Sequence, residues 1–196
     1  MLECEYAGIR IDEEYAQILR ACIHKEACTS TEASRVRVEL HDVDALRPLW
    51  RLIETEFAQK FPRYTRRIFD GLPGHVAIVV ARPSDEDQEW HRDQNRCDSF
   101  NLCIPLTRIT AENGATEVRR SDGQTIVMQC EPFECYVFNQ RLLHRGLANR
   151  TCEDRPLVMV TLSRNPQRIC FTNEVIEPDG GRHVGRRGRP AHTKKK

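Results

Sequence analysis

From residue 75 onward the chain is a succession of short runs that can only be strands: HVAIVVARP (75–83), SFNLCIPLT (99–107), TEVRR (116–120), QTIVMQC (124–130), ECYVF (134–138) and PLVMVTLSR (156–164). Each is rich in β-branched or aromatic residues and bounded by turn formers, and Asp122-Gly123 marks a hairpin between the third and fourth. Ahead of the Gly-Leu-Pro-Gly turn at 71–74 the texture is helical. Residues 12–28 carry acids in the first turn and place Tyr15, Ile18, Leu19, Cys22 and Ile23 on one face. Residues 42–60, with Asp42 or Asp44 as cap and Pro48 in the first turn, align Leu46, Leu49, Trp50, Ile53 and Phe57. Helices first and many strands after predict a mainly β fold, a two-sheet jelly roll with N-terminal helices packed outside. The expected organisation is one domain, with a helical part over 1–74 packed on a β core over 75–170.

Composition narrows the setting. The chain has 39% hydrophobic and 30% charged residues, and no apolar run long enough for a membrane span, which predicts a soluble globular domain. The N-terminal MLECEYAGIRIDEEY is broken by charges and does not read as a secretory signal. The nine cysteines are scattered, odd in number and without a C-x-x-C pair, so they read as reduced thiols rather than disulfides or a structural zinc site. An intracellular protein, cytoplasmic or nuclear, is expected. The last 15 residues, RHVGRRGRPAHTKKK, hold seven Lys/Arg and no acid, against a net charge of +1 for the whole chain, so the remainder is mildly acidic. This tail, 182–196, has nothing to bury and is expected to be disordered, and any nucleic-acid contact or nuclear address would reside there.

The polar segment EWHRDQN (89–95) places His91 and Asp93 two positions apart. With 7 histidines and 11 aspartates in 196 residues, chance supplies about 0.4 such pairs, so the pair alone decides nothing. On an extended segment, however, residues i and i+2 share a face and can converge on one ion. A third ligand must come from a distant strand, and His144 in NQRLLHRGLANR is the histidine inside the β region; His75 opens the first strand, and His183 and His192 fall in the tail. Two histidines and one carboxylate on one face of an octahedral ion leave three positions open, the arrangement of non-haem Fe(II) oxygenases, and the absence of thiolate favours iron over zinc. Eleven residues on, Arg155 opens the apolar strand DRPLVMVTLSR. A guanidinium entering a buried strand calls for an anion, and the far carboxylate of a 2-oxo dicarboxylic acid bound to iron would supply one.

WHRD, then NLCIPLTRITAENGAT, then H-x-G-x-x-N-x-T-x-x-x-R (His144, Gly146, Asn149, Thr151, Arg155) resemble, in order and spacing, the phytanoyl-CoA dioxygenase family of Fe(II)/2-oxoglutarate-dependent oxygenases. The resemblance covers roughly 75–164. It implies a double-stranded β-helix of the jelly-roll, cupin-like kind. In it His91, Asp93 and His144 hold iron, and Arg155 holds the cosubstrate 2-oxoglutarate, with O2 as oxidant and succinate and CO2 as products. Halogenating relatives replace the carboxylate ligand with a small residue; Asp93 is present, so hydroxylation of a small metabolite or acyl chain is the implied chemistry. Cys97 and Cys103 would be the thiols exposed to self-oxidation. The competing readings are an AlkB-type demethylase or protein hydroxylase on the same scaffold, and a non-catalytic binding protein. The demethylases carry a second arginine six residues after the cosubstrate arginine, where this chain has Thr161.

Overall fold

The computed structural model describes residues 3–23, 28–32, 35–39, 43–62, 75–84, 86–93, 99–163, 174–176 and 182–184. Its elements in chain order are β1 (Cys4–Arg10), α1 (Glu13–Ile23), β2 (Cys28–Glu32), β3 (Arg35–Glu39), α2 (Val43–Lys60), β4 (His75–Ala81), β5 (His91–Arg92), β6 (Ser99–Pro105), β7 (Thr116–Arg119), β8 (Thr125–Met128), β9 (Glu134–Asn139), β10 (Leu143–Gly146), β11 (Arg155–Ser163), β12 (Glu174–Ile176) and β13 (Arg182–Val184). They form two antiparallel sheets, a larger one ordered β1-β9-β6-β11-β4-β3-β2 and a smaller one ordered β13-β12-β5-β10-β7-β8. From β4 to β11 successive strands cross between the sheets, except at the β7–β8 hairpin. This is the double-stranded β-helix, as expected.

Period-2 alternation builds the layers. On β11, Val158, Val160 and Leu162 join Val76 and Ile78 of β4, Leu102 and Ile104 of β6, and Leu19, Leu49, Ile53 and Phe57 of the helices in one buried cluster. The opposite face carries Leu157, which meets Cys103, Tyr136 and Phe138 of the large sheet and Val118 and Met128 of the small one. The helices therefore cover the outside of the large sheet, and the small sheet covers its inside. β6 is buried on both faces, which is why it reads as a nearly continuous apolar run. Each fully buried Leu, Ile or Phe contributes roughly 1.5–3 kcal/mol of transfer free energy to this packing.

The N-terminal part differs from the expected helices. β1, β2 and β3 add three strands to the large sheet, with β3 paired to β4 through Arg35↔Ala81 and Arg37↔Val79. Helix α1 ends at Ile23, short of the expected 28. Pro48 lies in the second turn of α2 rather than the first, so one helical hydrogen bond is missing there. At the other end, Arg182–Val184 pairs with Glu174–Ile176, and the latter pairs with β5, so strands continue past the expected limit of 170 and into the stretch read as a tail. Residues 185–196 lie outside the described residues. Among the described residues no helix is long and apolar enough to cross a membrane.

Candidate active site

The small sheet sets His144 directly opposite His91 on the paired strands β10 and β5. Asp93 follows β5 by one residue and returns to the face of His91. Each imidazole is oriented from behind by a carbonyl: His91 Nδ1 lies 2.8 Å from Glu89 O, and His144 Nδ1 lies 3.0 Å from Leu142 O. Those acceptors fix the proton on Nδ1 and leave the Nε2 lone pairs directed inward. There His91 Nε2 is 3.9 Å from Asp93 Oδ1, and His144 Nε2 is 3.5 Å from Asp93 Oδ2. One donor atom of each residue falls within 4.8 Å of the other two. Two nitrogens and one oxygen so arranged offer three donors to one point, the donor set that a 2-His-1-carboxylate site would use for a divalent ion. The Phe138 ring lies 4.7 Å from the His144 ring, tilted 55° to it, and closes one side.

The electrostatics agree. Burial by itself would raise the Asp93 carboxyl, but the imidazoles of His144 and His91 and the Asn101 amide hold it well below the usual carboxylate range. Burial by itself would lower His144, yet the Asp93 carboxylate outweighs it and leaves the imidazole above its ordinary value. The site is thus an anion between two bases. A divalent cation would replace the protons that otherwise supply the positive charge.

Behind Asp93 runs a buried polar chain. Asn101 Nδ2 donates to Asp93 Oδ2 at 2.6 Å, and Gln140 Nε2 donates to Asn101 Oδ1 at 2.5 Å. Ser99 Oγ donates to Gln140 Oε1 at 2.7 Å, and Thr161 Oγ1 donates to Asn101 Oδ1 at 3.3 Å. All four of these residues are fully buried. Ser99 and Asn101 alternate with the apolar residues of β6, so the visible signal was two polar residues on one face of an otherwise apolar strand. The sequence reading did not use it.

Arg155 enters the same cavity as His91, Asp93 and His144, together with Cys103 and Thr116. It is 2% exposed. Its Nη2 donates to the Gly114 carbonyl and its Nε to the Asn113 carbonyl at 3.4 Å, while Nη1 is buried with no hydrogen-bond partner among the described residues. The Glu-Asn-Gly-Ala segment explains the grip: Gly114 sits at φ +86, where a side chain would be strained and would crowd Ala81, and this conformation presents its carbonyl to the guanidinium. Asn149 Nδ2 bonds the carbonyls of Ala81 and Glu153, and Thr151 Oγ1 bonds Asn149 Oδ1 at 2.6 Å. The Asn and Thr of the H-x-G-x-x-N-x-T segment therefore shape the turn that delivers Arg155. A buried cation with an unused donor fits an anionic group in the cavity. Thr116, held 2.9 Å from the Tyr136 hydroxyl, adds a polar group that the sequence reading missed. Cys103 lines the cavity as expected; Cys97 lies outside the described residues.

No family model matches the sequence. Over 120 residues the chain is 30% identical to Dioxygenase FrzG of Cladobotryum sp, a match covering 44% of this chain and 39% of that protein. The chain therefore spans well under half the length of that curated relative. Among solved structures, the non-heme alpha ketoglutarate dependent epimerase SnoN from nogalamycin biosynthesis superposes with a TM-score of 0.62 at 13% identity, over 83% of this chain and 78% of that one. HygX from Streptomyces hygroscopicus, solved with nickel, 2-oxoglutarate and hygromycin B bound, superposes with a TM-score of 0.62 at 11% identity, over 91% of this chain and 90% of that one. The fold of this chain is that of the 2-oxoglutarate/Fe(II) oxygenase structures.

Proposed function

We propose that the protein is an Fe(II)- and 2-oxoglutarate-dependent dioxygenase of the phytanoyl-CoA dioxygenase type that hydroxylates a small organic substrate. The observation that carries this reading is the pairing, in one cavity, of the His91–Asp93–His144 set with the buried, partly unpartnered guanidinium of Arg155. Iron held by the three ligands would supply the oxidative decarboxylation of 2-oxoglutarate by O2, one oxygen atom entering succinate as CO2 leaves and the other entering the substrate. His91, Asp93 and His144 bind the metal through one face and leave the other free. Arg155 orients the cosubstrate through its far carboxylate. Asn101 fixes the rotation of the Asp93 carboxylate. Val79, Phe138, Leu157 and Met159 make the remaining wall apolar and exclude water from the reacting end.

The 2-oxoglutarate and hygromycin B bound to HygX support a small-molecule substrate over a polymer. Where a demethylase would carry a second arginine, Thr161 is fully buried and bonded to Asn101, which speaks against that reading. The experiment is iron-dependent release of succinate from 2-oxoglutarate, paired with calorimetric binding of 2-oxoglutarate to the metal-loaded protein. Binding without turnover for any substrate class would favour a non-catalytic binding protein. Failure to bind either metal or cosubstrate would overturn the reading altogether.

A further inference from the structure

We propose that Trp90 is a positioning residue, held by Arg119 and Arg145 on the outer face of the small sheet so that His91 stays opposite His144. This rests on the metal-site reading for what the two histidines bind, but the clamp is defined by its own contacts. Among the described residues, β5 is two residues long and meets β10 at a single opposed pair, His91 and His144. β10 and β7, by contrast, are in register at four positions, from Leu143↔Arg119 to Gly146↔Thr116. The ladder therefore fixes His144 well and His91 poorly along the edge where they meet. The pairing of β12 with the other edge of β5 does not set the distance to β10.

Side chains supply what the ladder lacks. Trp90 precedes His91 and Arg145 follows His144, so alternation puts both on the face away from the ligands. There the Arg145 guanidinium carbon lies 4.8 Å from the centre of the Trp90 ring, and that of Arg119 on β7 lies 4.7 Å from it. Indole is the strongest of the aromatic partners for a cation. Two guanidinium groups over one ring tie the start of β5 to both strands of the well-paired unit.

Arg145 is not free to drift with the indole. Its Nε donates to Glu117 Oε2 at 2.6 Å, and its Nη1 lies 3.1 Å from Asp87 Oδ2. Glu117 is its direct partner on β7, and Asp87 Oδ1 accepts from the Ala148 amide at 2.8 Å. One residue on, the Gln88 amide donates to the Gly146 carbonyl at 2.8 Å, and Gln88 Oε1 accepts from the Gly146 amide at 2.9 Å. Asp87, Gln88 and Trp90 thus fasten the approach to His91 onto β10 step by step, and Trp90 is the last fastening before the ligand. Without the indole, the Gln88 contacts remain, but the chain between them and His91 gains rotational freedom.

The test compares the full chain with its Trp90→Leu and Trp90→Phe variants, by calorimetric titration with Mn(II) and by amide hydrogen exchange of the metal-free proteins. Groups that orient metal ligands are worth roughly 10–100-fold in metal affinity, so Trp90→Leu is expected to bind Mn(II) about tenfold or more weakly. Trp90→Phe, which keeps an aromatic face for the two arginines, should stay within about threefold. Once Mn(II) saturates, 2-oxoglutarate affinity should lie within about twofold of wild type in both, because Arg155 is untouched. In metal-free Trp90→Leu, exchange should quicken in the peptide covering 88–93 and not in β6 or β11. Mn(II) affinity within threefold of wild type for Trp90→Leu, an equal loss in Trp90→Phe, or faster exchange spread over β6 and β11 would overturn the proposal. If the wild type binds no Mn(II), the metal-site reading falls and the exchange pattern alone decides: local quickening keeps the clamp, and unchanged exchange removes it.

Discussion

Asn101 donates from Nδ2 to Asp93 Oδ2 at 2.6 Å, and its own carbonyl oxygen accepts from Gln140 at 2.5 Å. The orientation of the amide is therefore not free: Gln140 and Thr161 both point donors at its oxygen, so its nitrogen must face the carboxylate. One oxygen of Asp93 is held by this bond.

Asn101→Leu keeps the volume and removes the donor. Loss of a group that orients a metal ligand typically costs 10–100-fold in metal affinity, and a drop of about that size is expected for Fe(II) or Mn(II) by calorimetry. Arg155 is unaffected, so 2-oxoglutarate should still bind once metal saturates. A change in metal affinity under threefold would mean that Asp93 is held by the backbone alone.

Gly146 and Arg35 offer a test of packing. Gly146→Ala drives a methyl into the Arg35 guanidinium, which cannot swing away without breaking its bond to the Leu147 carbonyl. Overpacking of this kind costs roughly 1–3 kcal/mol. Arg35→Ala removes the obstacle, so the double variant is expected to be more stable than the sum of the single losses, a coupling of about 1 kcal/mol or more in a urea-denaturation cycle. Simple additivity would place the strain elsewhere.

Three buried cysteines and the half-buried Cys4 give the protein an alkaline limit. Burial pushes the Cys4 and Cys130 thiols up to about 12, and raises Cys103 and Cys135 as well. The unfolded chain releases these protons near their ordinary value of 9.0, while the folded chain holds them. Proton release therefore favours unfolding as pH rises, so this contribution to stability is complete below about pH 9 and is lost on approach to pH 12. The urea midpoint should fall over that window. At pH 8, iodoacetamide should modify the exposed Cys152 before any of the four. Native-state alkylation of Cys103 at the rate of Cys152 would show that the cavity opens freely.

The sequence disclosed the site more readily than the scaffold that carries it, and the reasons are physical. His91 and Asp93 share a face by period alone, and an arginine at the mouth of an apolar strand can meet an anion, so these residues and His144 could be named as candidates, with the family resemblance joining them into one proposed site. The strands bearing the histidines could not. β5 has two residues and β10 reads Leu-His-Arg-Gly, with no apolar alternation to mark either. Their pairing comes from the neighbouring strands. β3 failed for the opposite reason: Arg-Val-Arg-Val has perfect alternation, but its arginines turn toward a cavity that exists only once the small sheet is in place. The bond from Asn101 to Asp93 spans eight residues and two sheets, and no local pattern encodes it.

Arg155 supplies the sharpest test of the proposed cosubstrate site. Its guanidinium is 2% exposed, and two of its nitrogens are occupied by the Asn113 and Gly114 carbonyls, so the group is fixed in place whether or not an anion is present. The third, Nη1, has no partner among the described residues. Binding a carboxylate there satisfies a donor that is otherwise desolvated without return, so the gain should be large for a single contact. Arg155→Ala removes it, and loss of one member of a buried charge pair costs roughly 3–5 kcal/mol, about two to four decades in affinity. Arg155→Lys keeps the charge but cannot reach both carbonyls and the anion from one planar fork, so an intermediate loss is expected. Metal affinity should be unchanged in both, because Arg155 is not a ligand. The measurement is the 2-oxoglutarate dissociation constant with Fe(II) present and oxygen excluded. A shift below threefold for Arg155→Ala, with the fold intact by circular dichroism, would mean that the buried guanidinium serves only to pin the Asn113–Gly114 turn.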